Sequence, residues 1–298
     1  MKVSIITIAY NNLDGLKDTY QSIRKQTFSD YEWIVVDGGS TDGTKEFLQE
    51  HNSEIAWWCC EPDKGVYNAQ NKGTEHARGE YCIYMNSGDF FYDDDVLKKI
   101  FEKNIDADII YGNWLLVFED GTTRLGPAPE MPDMAYFFNE NICHQSMLIK
   151  TEIILNRPYD ESFEIYGDWD EWISAFLQGK SFAKVDIIIC KFIVGGLSTG
   201  DSNTLDTKRK VEMERLKEKY YPEPWRKTMS RVVPVLQEYN AVKIWEGNDN
   251  MTSFSAAFYE RKFLVEKRKK HNKIIRILIY VSSLLFVTNI LTFIYLFM

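Results

Sequence analysis

The sequence predicts an α/β protein: a mostly parallel sheet with helices on both faces, then a C-terminal helical region and an apolar tail. Three observations predict it. In the first hundred residues, short β-branched runs alternate with segments whose apolar residues recur at helical spacing. Strands separated by helices need crossover connections, so they lie parallel with both faces covered. Residues 277–298, finally, contain no charged side chain.

The elements follow in order. Residues 3–9 read as a strand, and residues 13–26 as a helix with Leu16, Tyr20 and Ile23 on one face and Asn12 as its cap. Trp33-Ile34-Val35-Val36 makes the second strand and ends in Asp37-Gly38-Gly39-Ser40, after which Thr41 is expected to cap a helix through Phe47 and Leu48. Residues 55–60 read as strand, 66–77 as helix and 81–85 as strand, and Asp93 opens a helix through Val96, Leu97, Ile100 and Phe101. After Ile109-Ile110-Tyr111 the pattern changes. Residues 115–118 and 122–125 flank Glu119-Asp120-Gly121, a hairpin turn, and 126–132 form a Pro-rich loop. Residues 146–150 are predicted strand, 168–177 helix and 183–189 strand. This divides the chain into a domain over 1–203 (halves at about 1–112 and 113–203), a helical, basic extension over 204–273, and a tail over 274–298.

Composition narrows the function classes. Of 298 residues, 45% are hydrophobic and 27% charged, as in an ordinary globular protein. The net charge of -9 argues against nucleic acid as a partner, since phosphate binding wants a basic face. The charge is uneven: Arg261, Lys262, Lys267, Arg268, Lys269, Lys270, Lys273 and Arg276 outnumber Glu266 just before the apolar tail. About 20 apolar residues cross a bilayer, so the tail is expected to anchor the protein in membrane lipid. The basic cluster places the preceding chain on the cytoplasmic face of the inner membrane. A buried helix is the competing reading, but a soluble helix normally keeps a polar face. Met1-Lys2 runs straight into an apolar strand, so no signal peptide is expected. The 5 cysteines are scattered without a CxxC pair and read as reduced thiols.

Four polar loops fall at the carboxyl ends of predicted strands: Tyr10-Asn11-Asn12, residues 37–42, residues 61–65, and Asn86-Ser87-Gly88-Asp89. In open α/β sheets ligands bind outside those ends. The phosphate-cradling GxxxxGK[ST] motif is absent, as is GxGxxG after the first strand. A crevice this acidic can hold a nucleotide diphosphate only through a divalent cation with oxygen ligands, Mg2+ or Mn2+.

Residues 3–12 and 33–43, together with Glu61-Pro62-Asp63-Lys64-Gly65-Val66-Tyr67-Asn68-Ala69-Gln70-Asn71-Lys72-Gly73 and Met85-Asn86-Ser87-Gly88-Asp89, resemble glycosyltransferase family 2. They look like its branch for bacterial exopolysaccharide, capsule and lipopolysaccharide. The resemblance covers roughly residues 1–198. It implies a GT-A fold, an inverting mechanism, a divalent metal and a UDP-, GDP- or dTDP-sugar donor. By position, Tyr10 resembles the aromatic on the donor base, and Asp37 and Asp63 residues around the nucleoside. Asn11, Asn86 and Lys72 join the donor set, and Asp89 matches the metal-binding carboxylate of the DxD-type motif. Two departures stand out: Gly38 occupies a position that is acidic in many relatives, and Asn86 replaces the motif's first acid. Asp37 and Asp42 are also residue types that cap turns, and Asn71 and Lys72 are also compatible with a solvated helix face.

A second constellation is Tyr166-Gly167-Asp168-Trp169-Asp170-Glu171-Trp172. It resembles the family's acidic base motif, which makes Asp168 the first candidate for general base, Asp170 the second and Glu171 a distant third. Capping of a helix N-terminus competes with that reading. His144, Gln145, Trp169 and Gly196 are assigned to the acceptor side and its loop; Cys143 and His144, adjacent and without a matching pair, do not make a zinc site. The expected function is inverting transfer of a sugar to a hydroxyl of a polyprenyl-diphosphate-linked glycan in cell-surface polysaccharide synthesis. The rivals are a polyprenyl-phosphate sugar synthase and a catalytically silent nucleotide-sugar-binding scaffold.

Overall fold

The structure, a computed structural model, describes residues 1–195 and 203–231. Met1–Pro222 forms one compact unit and Glu223–Met298 a second. Every element named below lies in the first.

The strands form because their apolar residues point alternately to two buried faces. β1 (Val3–Ala9), β2 (Tyr31–Asp37), β3 (Trp57–Cys60) and β4 (Tyr81–Tyr84) lie parallel in the order β3-β2-β1-β4. Val3, Ile5, Trp33, Val35 and Ile83 join one core; Ile6, Ile34, Cys82 and Tyr84 join the other. A strand buried on both faces reads as a near-continuous apolar run.

The helices divide between those cores. α1 (Leu13–Arg24), α2 (Thr44–Glu50) and α4 (Val96–Phe101) supply Leu16, Leu48 and Leu97 to the first. α3 (Val66–Glu75), α5 (Thr151–Asn156) and α6 (Gly167–Leu177) supply Tyr67, Ile154 and Trp172 to the second. Asn12 caps α1 as expected, accepting from the Gly15 amide at 3.2 Å. Thr41 does not cap α2: left-handed Gly43 (φ 96°) holds that place, and Asp42 Oδ1 accepts the Thr44 amide at 3.2 Å.

Beyond β4 the sheet is mixed, which corrects the mostly parallel expectation. β8 (Met147–Lys150) runs antiparallel to β4 and to β6 (Ile109–Val117). β6 turns through residues 119–121 into antiparallel β7 (Thr123–Gly126), the pairing that a hairpin imposes. β9 (Phe182–Ile193) lies parallel to β6 and carries two-residue β5 (Phe90–Phe91) at the sheet edge. The hairpin was predicted; β5 and α5 are too short to show a period.

α7 (Asn203–Tyr220) buries Glu212 and Leu216 and belongs to the first compact unit, which therefore runs past the boundary expected at 203. Among the described residues no helix is long and apolar enough to cross a membrane. The basic cluster and the apolar tail lie outside the described residues, as does Gly196.

Candidate active site

A cleft of about 610 Å³ opens at the carboxyl ends of β1 and β4, and Tyr10, Asp63, Asn86, Asp89, His144 and Gln145 all line it. One end is aromatic. Tyr10 is 67% exposed, so its ring is available for stacking. Asp63 Oδ1 accepts the Gly65 amide at 2.9 Å. A Cβ on Gly38 would stand 2.7 Å from Asp63 Oδ2 and 3.2 Å from the Tyr10 ring. Gly38 is thus the space into which Tyr10 and Asp63 close.

The other end is the loop after β4. Thr19 of α1 secures it: its hydroxyl accepts the Gly88 amide at 3.0 Å and donates to the Asp89 carbonyl at 2.8 Å. Asn12 Nδ2 donates to the Ser87 carbonyl at 3.0 Å. Gly88, at φ 101°, makes the turn that an L side chain would strain.

Asp89 is 7% exposed, and among the described residues the donors to its carboxylate are neutral: Gln145 Nε2 at 2.7 Å and the Ile193 amide at 3.3 Å. Burial pushes it up to about 6, against the hydrogen bond from Gln145. Beside it, Asn86 Oδ1 is buried without a hydrogen-bond partner. A carboxylate with neutral donors and an amide oxygen without a hydrogen-bond partner among the described residues are hard oxygen ligands that suit a divalent cation. Among the described residues, no group of three or more His, Cys, Asp or Glu side chains could hold a metal by itself. The residues therefore fit an ion whose remaining ligands are phosphate and water, as is usual for Mg2+.

Asp168 sits in the first turn of α6 and is 7% exposed. Its Oδ1 accepts the Trp169 amide at 2.8 Å and lies 3.3 Å from the Tyr67 hydroxyl. Its Oδ2 accepts from Asn141 Nδ2 at 3.2 Å and lies 3.3 Å from His144 Nδ1. The other ring nitrogen of His144 lies 3.1 Å from Asn86 Nδ2. His144 thus bridges Asn86 and Asp168 while the next residue, Gln145, holds Asp89. Tyr67 and His144 both line the cleft, and Asp168 stands directly behind them.

Other predicted site residues have different employment. Asp170, the second candidate base, is 0% exposed and locked to Arg157 Nη2 at 2.5 Å, Lys219 Nζ at 2.6 Å and the Tyr220 hydroxyl at 2.9 Å. It does not line the cleft. Glu171 pairs with Arg157 on the same side. Trp169 is a core residue, its indole donating to the Phe137 carbonyl at 3.0 Å. Asn11, Asp37 and Lys72 do not line the cleft but shape its loops. Asn11 Oδ1 accepts the Thr41 amide at 2.9 Å, Asp37 holds the Ser40 amide at 3.0 Å, and Lys72 pairs with Glu61 at 2.8 Å. Thr19, Tyr67 and Asn141 were missed from sequence. Thr19 alone left a signal, a polar residue amid the apolar stripe of α1.

The model of the family described as "Glycosyl transferase family 2" matches residues 4–169. An uncharacterized glycosyltransferase of Mycobacterium tuberculosis is 30% identical over 202 residues, covering 66% of this chain and 77% of that protein. A PGL/p-HBAD biosynthesis glycosyltransferase of Mycobacterium bovis is 28% identical over 180 residues, covering 58% of this chain and 69% of its own length. Among solved structures, S. aureus TarS 1-349 in complex with UDP-GlcNAc is similar at TM-score 0.58 and 16% identity, covering 78% of this chain and 70% of that one. The mannosyltransferase PcManGT from Pyrobaculum calidifontis, in complex with GDP-Man and Mn2+, matches at TM-score 0.56 and 14% identity, covering 91% and 86%. These likenesses show a GT-A-like fold.

Proposed function

This chain belongs to glycosyl transferase family 2, and on that premise we propose that it is an inverting, metal-assisted glycosyltransferase acting on a nucleotide-diphosphate sugar. The observation that carries the proposal is Asp89: a buried carboxylate whose donors among the described residues are neutral, facing a cleft beside an Asn86 oxygen without a hydrogen-bond partner there. Tyr10 stacks on the donor base and Asp63 bonds the nucleoside. Asp89 and Asn86 would hold Mg2+ or Mn2+, whose charge would neutralise the departing diphosphate. Relatives of the same fold bind UDP-GlcNAc, or GDP-Man with Mn2+, which supports a donor and a metal of these kinds.

The acceptor hydroxyl enters between Tyr67 and His144 and attacks the anomeric carbon from the face opposite the diphosphate. Asp168 takes its proton as the new glycosidic bond forms. Tyr67, Asn141 and His144 keep the carboxylate aimed, as a general base in hydrogen-bond reach requires. No covalent intermediate is needed, and the configuration inverts. We assign the acceptor to a polyprenyl-diphosphate-linked glycan at the cytoplasmic face of the inner membrane. The charge-free residues 277–298 behind a basic cluster support that assignment, as does the relative named for PGL biosynthesis.

The test is release of nucleotide diphosphate from a panel of UDP-, GDP- and dTDP-sugars, with Mn2+, Mg2+ or EDTA and a lipid-extract acceptor. Turnover of one donor, abolished by EDTA, is the expected result, and Asp168→Asn should bind that donor while losing transfer. A folded protein that binds a nucleotide sugar yet transfers nothing would instead be a scaffold. Transfer to polyprenyl phosphate alone would make it a polyprenyl-phosphate sugar synthase.

A further inference from the structure

We infer that Glu212 of α7 is a positioning residue for transfer: its carboxylate clamps the backbone of residues 164–166 and thereby sets the acceptor-side wall and Asp168. The inference rests on the transferase function proposed above. Glu212 is 8% exposed, and among the described residues its partners are three consecutive amides: Glu164 at 2.6 Å, Ile165 at 3.0 Å and Tyr166 at 2.9 Å. Successive amides converging on one carboxylate form an anion nest. Tyr166 is the N-cap of α6 and makes no side-chain capping bond. Glu212 therefore supplies, from another helix, the negative charge that the positive end of α6 favours.

The clamp has a functional side because of what lies on the other face of the same backbone. Glu164 and Ile165 line the cleft. The Ile165 carbonyl accepts the Tyr67 hydroxyl at 2.7 Å, and that hydroxyl lies 3.3 Å from Asp168 Oδ1. The Ile165 residue is thus held by its amide to Glu212 and by its carbonyl to a tyrosine that also touches the proposed base. Further along α7, Arg215 Nη1 donates to the Ser162 carbonyl at 3.1 Å and Lys219 reaches Asp170 at 2.6 Å. Lys208 also pairs with Glu164, so one helix grips residues 162–170 along its length, and Glu212 is the grip on their backbone amides. Loss of that carboxylate frees three amides together and lets the wall and the first turn of α6 drift. A misplacement of about 1 Å can slow a reaction roughly 100-fold. The donor end, at Tyr10, Gly38 and Asp63, is untouched.

The test compares Glu212→Ala, Glu212→Gln and the control Lys217→Ala by steady-state transfer and by hydrogen–deuterium exchange. Lys217 sits on the same helix, over the Phe138 ring at 4.6 Å, and does not reach residues 164–166. We expect Glu212→Ala to lower kcat roughly 10- to 100-fold with donor KM within about twofold of wild type. Glu212→Gln, which keeps an acceptor oxygen, should fall between, and Lys217→Ala should match wild type. Amides 164–166 should be protected in wild type and lose protection in Glu212→Ala. If Glu212→Ala does not fold, Glu212→Gln carries the comparison. The proposal is overturned by a folded Glu212 variant with wild-type kcat, by donor KM rising in step with the loss of kcat, or by unprotected amides 164–166 in wild type. Absence of turnover by wild type with every donor would sink the transferase function instead, and the exchange result would still decide whether the clamp exists.

Discussion

Asp89 and Asp170 are both buried carboxylates, and the chain partners them in opposite ways. Asp170 meets Arg157, Lys219 and the Tyr220 hydroxyl. Asp89 meets, among the described residues, one side-chain amide and one backbone amide and no Lys or Arg. Glu171 is intermediate. Arg157 holds one oxygen, the other has no hydrogen-bond partner among the described residues, and burial pushes the group up to about 7 against the Arg157 charge. Where the chain provides its own cations, buried negative charge ties helices together, here α6 to α5 and α7. Where it leaves the carboxylate to neutral donors beside a cleft, the charge is available to an ion from outside.

The sharpest way to break this contrast is at Arg157. Arg157→Met leaves Asp170 and Glu171 buried without the guanidinium, and removing one partner of a buried pair costs about 3–5 kcal/mol. We expect a urea midpoint so low that the protein loses its fold near room temperature. A shift within about 0.5 kcal/mol, the scatter of an ordinary surface substitution, would show that the cluster is not structural.

Asp89→Asn should do the reverse. Removing a buried charge held by neutral donors should raise stability at pH 7 by up to about 2 kcal/mol. Donor turnover should meanwhile fall roughly 100- to 1000-fold. A variant that lost activity and stability together would place Asp89 with Asp170.

Acidity sharpens the same comparison. Asp89 has its folded value raised to about 6 from an ordinary 3.8. Between those values the folded state holds a proton that the unfolded state has released. Stability therefore falls as pH rises through that window and stays lower at neutrality. Denaturant titrations at pH 4.5 and pH 7 should show that loss in wild type and a smaller one in Asp89→Asn. Equal slopes in the two proteins would contradict it.

The smallest effect belongs to the donor end, where nothing buried is disturbed. Tyr10→Ala should raise donor KM about 3- to 10-fold, the worth of one aromatic stack. Melting temperature and kcat should stay near wild type. Unchanged KM would remove Tyr10 from the donor site.

How much was legible in the sequence depends on how local each signal was. The parallel strands β1, β2 and β4, the cap at Asn12 and the hairpin at residues 119–121 were all readable, because period and turn chemistry act over a few residues. The mixed half of the sheet was not, since antiparallel pairing of β8 with β4 and β6 is a choice among distant strands. At the site, Tyr10, Asp63, Asn86, Asp89, His144 and Gln145 were named from motifs and meet in one cleft. Lys72 and Asp37 were named the same way, yet Glu61 and Ser40 occupy them. Gly38 shows the same limit: its small size follows from Asp63 and Tyr10 arriving beside it.

By itself the sequence determined that strands would be buried on both faces and that polar loops would gather at one end of them. Those properties follow from alternation along the chain and from residues that turn it. Only the tertiary structure decided which partners surround the acids at 168, 170 and 171. They stand within one helical turn and differ chiefly in the direction each side chain takes. Tyr67, Asn141 and His144 hold Asp168 directly behind the cleft wall, while Arg157, Lys219 and Tyr220 surround Asp170. Most of those partners lie tens of residues from the acid they hold, so the surroundings of each carboxylate were set by packing and not by its place in the motif.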